Sequence, residues 1–291
     1  MKHLLYIGIC AAAFFAFFPQ ASFAAAVTAP SILVSSSTPL QGEPVLVTFE
    51  GVTATSSIQS ISYNGGKPGT FLYAGKVHAL LAVDLHQKPG PYAVSALLAT
   101  GKKLEKIITV IERPQVKAPL GIPEKLGGNT AASQATLVST LASENASLAN
   151  IWTGTKAFWS QNFQWPLKSI TVTDPYGYSR ETGAYSIAHK GTDLRAAEGT
   201  PVAAINRGVV RVVHEYRDYG KTIVVDHGLG LMSFYMHLSK INVVAGQLVL
   251  PGQIMGLSGH TGYADQPHLH LTIRINGISI DPVLFFKLFN L

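Results

Sequence analysis

The chain has 291 residues, 47% of them hydrophobic and only 13% charged, with a formal net charge of +6 and a mean hydropathy of +0.24. That is long enough for two domains and too apolar for wholesale disorder, while a single long apolar run, at the N-terminus, excludes a polytopic membrane protein. One cysteine, Cys10, excludes a disulfide framework and a thiolate zinc site, and the scattered Lys and Arg bring no nucleic-acid-reading motif with them.

In chain order, Lys2 and His3 precede an apolar stretch from Leu4 to Phe18, followed by Pro19 and the small residues around Ser22-Phe23-Ala24. This is the charged, apolar and cleavage-site pattern of a secretory signal peptide. The run is shorter than the ~20 residues that span a bilayer. A signal peptide over residues 1–24 is therefore expected, with export and no stable membrane insertion after cleavage.

Residues 27–112 alternate apolar runs with turn chemistry. "SILVSSS", "EPVLVTFEG", "SIQSISYNGG", "VHALLAVDL" and "PYAVSALLAT" are punctuated by Asn64-Gly65-Gly66, Pro68-Gly69 and Pro89-Gly90-Pro91. Short strands at this spacing predict an antiparallel β-sandwich-like domain. His78 and His86 stand alone in it and read as packing or surface residues. Residues 113–129, with Pro114, Pro119, Pro123 and Gly127-Gly128, read as a linker that lets the sandwich move. The next stretch, "NTAASQATLVSTLASENASLANIW", spaces Leu137, Leu141, Leu148 and Ile151 without an interior Gly or Pro and predicts a helix. Linker and helix together make a connector over 113–162. From 163 to 291 the pattern returns to short strands, so the chain as a whole is expected to be mainly β.

Of the ten histidines, seven lie between positions 189 and 270. His189 and Asp193 form H-x-x-x-D, His237 sits in "SFYMHLS", and His268 and His270 form H-x-H. Side chains alternate along a strand, so His268 and His270 face the same way in the β-branched run "HLHLTIRI". His189 and Asp193 share parity too, and Gly191-Thr192 disfavours a helix there. Two imidazoles and a carboxylate suit Zn²⁺ and leave a fourth position open, as a catalytic site requires. The helical zinc motif is absent: His214-Glu215 begins one, but Asp218 stands where its second histidine belongs. With no helix-borne glutamate, a histidine must act as the base. His214, His227 and His260 read as packing or supporting residues.

The stretches "HKGTDLRAAEGTPVAAINRGVV", "VVDHGLGLMSFYMHLS", "VVAGQLVLPGQIMGLSGHTG" and "PHLHLTIRINGISIDP" resemble, in that order, the lysostaphin-like zinc metallopeptidases, metallopeptidase family twenty-three. The likeness runs from about Phe163 to Phe286 and, with the upstream sandwich and helix, is similar to the exported two-domain Gram-negative branch. It implies an antiparallel lysostaphin-like peptidase domain (duplicated hybrid motif) at 163–291, periplasmic location, and a zinc endopeptidase that cuts peptidoglycan stem peptides or cross-links. It places the metal ligands, for one Zn²⁺ per chain, on His189, Asp193 and His270 and the catalytic, non-ligand histidines on His237 and His268. One of that pair would move the proton and the other would bind the oxyanion. Leu271-Thr272 departs from the family's usual Phe-Glu pair, Gly220-Lys221 replaces a Gly-Asn, and Tyr185 is the nearest candidate for a tyrosine some relatives place before the first ligand. The basic chain suits an anionic wall polymer. The alternative is a non-catalytic wall-binding protein or an activator of another hydrolase. The N-terminal domain would either cover the groove or bind the wall or a regulatory partner.

Overall fold

A computed structural model describes residues 28–182 and 184–289. The expected signal peptide lies outside the described residues. Strands β1 (Ser31–Val34), β2 (Pro44–Glu50), β3 (Ile58–Tyr63), β4 (Thr70–Tyr73), β5 (Lys76–Ala82), β6 (Gly90–Leu98) and β7 (Lys103–Val110) build the N-terminal part. They form two antiparallel sheets, β1-β2-β5-β4 and β3-β6-β7. Between them lies a core that includes Val45, Val47, Phe49, Val77, Leu81, Val94 and Ile108. The five apolar runs all become strands. To them the structure adds β4, a four-residue piece, and β7, whose outer face is exposed while Leu104, Ile108 and Val110 point inward.

β5 is apolar along most of its length because both its faces are covered. Val77, Ala79 and Leu81 face the sandwich core, whereas Leu80 and Ala82, with Phe71 from β4, join the large C-terminal core around Trp159 and Phe163. Buried His78 lies between, with Nδ1 3.0 Å from Thr48 Oγ1 and Nε2 3.2 Å from the Tyr73 carbonyl, a packed core histidine. The two halves of the chain thus share a hydrophobic core. Replacing Phe71, which meets Trp159 edge-on at a 5.0 Å ring separation, by Ala should cost about 3–5 kcal/mol. In a urea titration both halves should still unfold in one transition.

The connector is also ordered. β8 (Lys117–Pro119) leads past a 3₁₀ turn at Glu124–Leu126 to helix α1 (Ala131–Ser147), capped by Thr130, whose hydroxyl accepts from Ser133 N–H at 3.1 Å. Residues 113–129, expected as a linker, pack against this helix. Leu120 and Ile122 are buried against Leu137 of α1, so the prolines and glycines shape a fixed path rather than a hinge.

The C-terminal part comprises β9 (Val172–Asp174), β10 (Ser179–Glu181), β11 (Ser186–Ala188), β12 (Thr192–Arg195), β13 (Pro201–Ala203), β14 (Gly208–Tyr216), β15 (Gly220–Gly228), β16 (Leu231–Leu238), β17 (Lys240–Ile241), β18 (Leu248–Val249), β19 (Ile254–Leu257), β20 (His268–Ile275), β21 (Ile278–Ile280) and helix α2 (Pro282–Phe289). Its main sheet has eight strands, ordered β18-β14-β15-β16-β20-β12-β9 with β21 beside β20. Small sheets flank it: β13-β19-β17, and β11-β10-β8, in which β8 of the connector runs parallel to β10. β15 and β16 are buried on both faces. Ile223, Val225, Leu231 and Tyr235 face the large core, while Val224, Met232, Phe234 and Met236 face Leu148 at the end of α1.

Candidate active site

β20 alternates strictly. Leu269, Leu271, Ile273 and Ile275 are buried in the large core. His268, His270, Thr272 and Arg274 therefore project from the opposite face, the one that α1 partly covers. β12 pairs antiparallel with β20 so that Asp193 lies directly opposite His270, and Arg195 opposite His268. Directly opposed residues bring their side chains together. His189 does not lie on one strand with Asp193. It follows β11, and the chain turns at Lys190-Gly191 before β12 begins, so the turn rather than strand parity unites them. Gly191 is required: a Cβ there would run into the His270 imidazole and the Thr272 hydroxyl.

The three side chains converge. Asp193 Oδ1 lies 3.2 Å from His189 Nε2 and 2.8 Å from His270 Nδ1, and the two nitrogens are 3.1 Å apart. Their outer atoms fix the tautomers. His189 Nδ1 sits 3.0 Å from the Pro175 carbonyl, which can only accept, so Nδ1 carries the proton and Nε2 a lone pair. Thr272 donates its hydroxyl proton to the Lys190 carbonyl and so accepts from His270 Nε2–H at 3.0 Å, leaving the lone pair of His270 on Nδ1. Three acceptors thus face one point with no donor among them, an arrangement that a cation satisfies. Burial alone would raise the Asp193 carboxyl. Where His189 and His270 are protonated, their charge and the hydrogen bonds they donate outweigh burial and hold Asp193 well below the usual carboxylate range.

His237 and His268 stand beside this cluster. Their ring centres are 4.9 Å apart, and His268 Nε2 is 3.7 Å from Asp193 Oδ1. Each gives Nδ1–H to a backbone carbonyl, His237 to Thr261 at 2.9 Å and His268 to Gln266 at 2.8 Å, which leaves Nε2 of each as the free lone pair. His237 is buried, and this together with His268 and His270 pushes its imidazole down to about 3. Its backbone is left-handed, with φ 59°, a conformation that costs a non-glycine residue about 1–3 kcal/mol and persists only where its surroundings enforce it.

All five histidine and aspartate positions singled out in the sequence thus meet at one place. The others do not. His227 is fully buried between the Arg207 carbonyl and Ser233, and burial pushes it down to about 4. His214 stacks edge-on with Tyr216, and exposed His260 pairs with Glu198 at 3.2 Å. A cavity of about 860 Å³ opens over the cluster. From the N-terminal sandwich only Leu85 and His86 reach it; its far wall is Pro119, Leu120, Gly121 and Pro123 of the connector with Val138 and Leu141 of α1. The sandwich, expected partly to cover the groove, thus lines it at Leu85 and His86, while the connector lines more of it. Tyr219 and Tyr263 line the cavity and Tyr185 does not. Thr272, which aims His270, was legible only as a departure from a family pattern, although its parity with His268 and His270 places it on the same face.

Residues 187–282 match the model of peptidase family M23. The chain carries an M23 peptidase domain. A crystal structure assigned to peptidase M23 from Pseudomonas aeruginosa shares 26% identity, covers 86% of this chain and 95% of its own, and superposes with a TM-score of 0.62. Among curated proteins, the M23 domain is similar to the DD-carboxypeptidase/endopeptidase Mpg of Neisseria meningitidis, 34% identical over 40% of this chain and 27% of that protein. It is likewise similar to the peptidoglycan DD-endopeptidase ShyA of Vibrio cholerae, 44% identical over 31% of this chain and 21% of that one. The matched stretch spans about a quarter of the length of these curated relatives.

If Thr272 orients His270 within the M23 domain, Thr272→Val should weaken zinc binding about 10- to 100-fold while the fold survives, since partners of this kind tune metal affinity to that extent. Competition with a chromophoric chelator measures it, and an unchanged affinity would remove Thr272 from the site.

Proposed function

We propose that this chain is an exported zinc-dependent endopeptidase that hydrolyses peptide bonds in the stem peptides or cross-links of peptidoglycan. The observation that carries the reading is the convergence of three lone-pair atoms, His189 Nε2, Asp193 Oδ1 and His270 Nδ1, within 4.8 Å of one another and without a donor between them. Imidazole and carboxylate donors in a two-to-one set are those of open catalytic zinc sites, so the residues present fit the ion. The names of the relatives supply the substrate class. Signal cleavage near Ala24 and a periplasmic location go with it, as does a sandwich over 27–112 preceding a peptidase domain over 163–291. Among the described residues no helix is long and apolar enough to cross a membrane.

Bound zinc supplies a Lewis acid for the scissile carbonyl and lowers the pKa of water. The chain's own residues do the rest. His189 keeps its lone pair inward by donating to the Pro175 carbonyl, and His270 does so by donating to Thr272, whose hydroxyl is turned to the Lys190 carbonyl. His237 and His268 each present an unprotonated Nε2 to the same space. One of them accepts the proton of the attacking water at Nε2 and returns it to the leaving amine. The other, once it has taken a proton from solvent at Nε2, donates a hydrogen bond to the oxygen that gains charge. A non-catalytic binder or activator has no need of five intact groups so tethered.

Digestion of purified sacculi followed by mass spectrometry of the soluble products tests the reading. New amino and carboxyl termini within peptides are expected. Products cut only in the glycan strand, or none, would overturn it.

A further inference from the structure

Of the 17 residues of α1, Leu137 and Glu144 are the buried ones. A carboxylate in one of two buried positions is expensive unless it is fully hydrogen-bonded, and an apolar residue would dock the helix at lower cost. What Glu144 does is specific. Oε1 accepts from the backbone N–H of Asp218 at 3.0 Å and Oε2 from that of Tyr219 at 3.1 Å, in the tight turn between β14 and β15.

That turn reaches His237 by two routes. The Tyr219 carbonyl accepts the His237 backbone N–H at 3.0 Å, and the Asp218 carbonyl accepts Tyr263 N–H at 2.7 Å. Tyr263 closes the turn whose Thr261 carbonyl receives His237 Nδ1–H. Gly262 is wedged against Asp218 and Gly220, so the two turns move as a unit. Backbone and imidazole of the left-handed His237 are therefore both referenced to one carboxylate on the connector helix. We infer that Glu144 is a positioning residue, which holds His237 in its working geometry through the 217–219 and 261–263 turns. The inference rests on the proposed role of His237 in peptide hydrolysis, and it makes the connector helix part of the working site rather than a spacer.

The test compares Glu144→Leu and the near-isosteric Glu144→Gln with Leu137→Ala, which loosens the same helix through a cluster that includes Tyr263 but leaves the carboxylate bonds to the 217–219 turn in place, all in the zinc-loaded full chain. Four quantities are read: kcat and KM on a short stem peptide, zinc content, and the NMR resonance of the His237 Nδ1–H. Glu144→Leu should lower kcat about 10- to 100-fold, the scale expected of a misplaced catalytic group, with zinc content and KM unchanged and the His237 resonance shifted or broadened. Glu144→Gln, which keeps one acceptor oxygen, should fall between. Leu137→Ala should lower the melting temperature alone. Wild-type kcat and an unmoved His237 resonance in both Glu144 variants would overturn the inference, as would an equal His237 shift in Leu137→Ala. Should the wild-type chain cleave no peptide, the functional reading fails, while the His237 resonance still decides whether Glu144 holds it.

Discussion

His270→Ala is expected to lose zinc and activity together while the protein stays folded. His270 Nδ1 meets both other candidate ligands, at 2.8 Å from Asp193 Oδ1 and 3.1 Å from His189 Nε2, so its removal leaves a two-ligand site with one wall missing. The turnover lost should exceed the roughly 10²–10⁴-fold attributable to a single acid–base group, because the ion leaves with the imidazole. Position 270 lies on the cavity side of β20, opposite the large core, so a small effect on melting temperature accompanies the loss. Metal analysis beside a peptide-hydrolysis assay checks it. A variant that keeps both one zinc per chain and measurable activity would place the ion elsewhere.

His268→Ala and His237→Ala should behave differently from that. Neither imidazole is among the three converging ligand atoms, and each is tethered by Nδ1–H to a backbone carbonyl that leaves Nε2 unprotonated. Zinc content should therefore be retained in both, with turnover reduced by about 10²–10⁴-fold. The two should differ in stability. His237 is buried in a left-handed conformation, and its replacement removes the side chain that bonds Thr261, so this variant should also melt earlier; half-buried His268 should cost little. Zinc measured by atomic emission and melting by calorimetry, alongside the assay, separate these outcomes. Equal zinc loss in all three histidine variants would erase the division between ligand and catalytic positions.

The core of this site was legible in the sequence because strand geometry is simple. A period of two put His268 and His270 on one face, and the buried Leu269 and Leu271 between and after them made the strand itself unambiguous. His189 and Asp193 are brought together by a turn at Gly191 rather than by strand parity, since parity across a turn carries no information about facing. The connector's Pro and Gly composition reads as flexibility, whereas Leu120 and Ile122 within it are buried against Leu137 of α1. Glu144 gave no signal at all. Its partners are backbone N–H groups 74 and 75 residues away, which no residue pattern encodes. The continuous apolar run in β5 likewise recorded a two-sided burial whose second side, the C-terminal core, becomes visible only in three dimensions.

The most direct measurement of the central claim is a zinc titration of chelator-stripped protein, with cleavage of peptidoglycan peptides followed by mass spectrometry at each step, in the wild-type chain and in Asp193→Ala. Cleavage within peptides should be absent in the stripped wild-type chain, rise linearly with added zinc and reach a plateau at about one ion per chain, as a single three-ligand site dictates. Asp193→Ala should show neither tight binding nor cleavage across the same range. Full peptide cleavage by the metal-free chain, or an Asp193→Ala titration that coincides with the wild type, would contradict it.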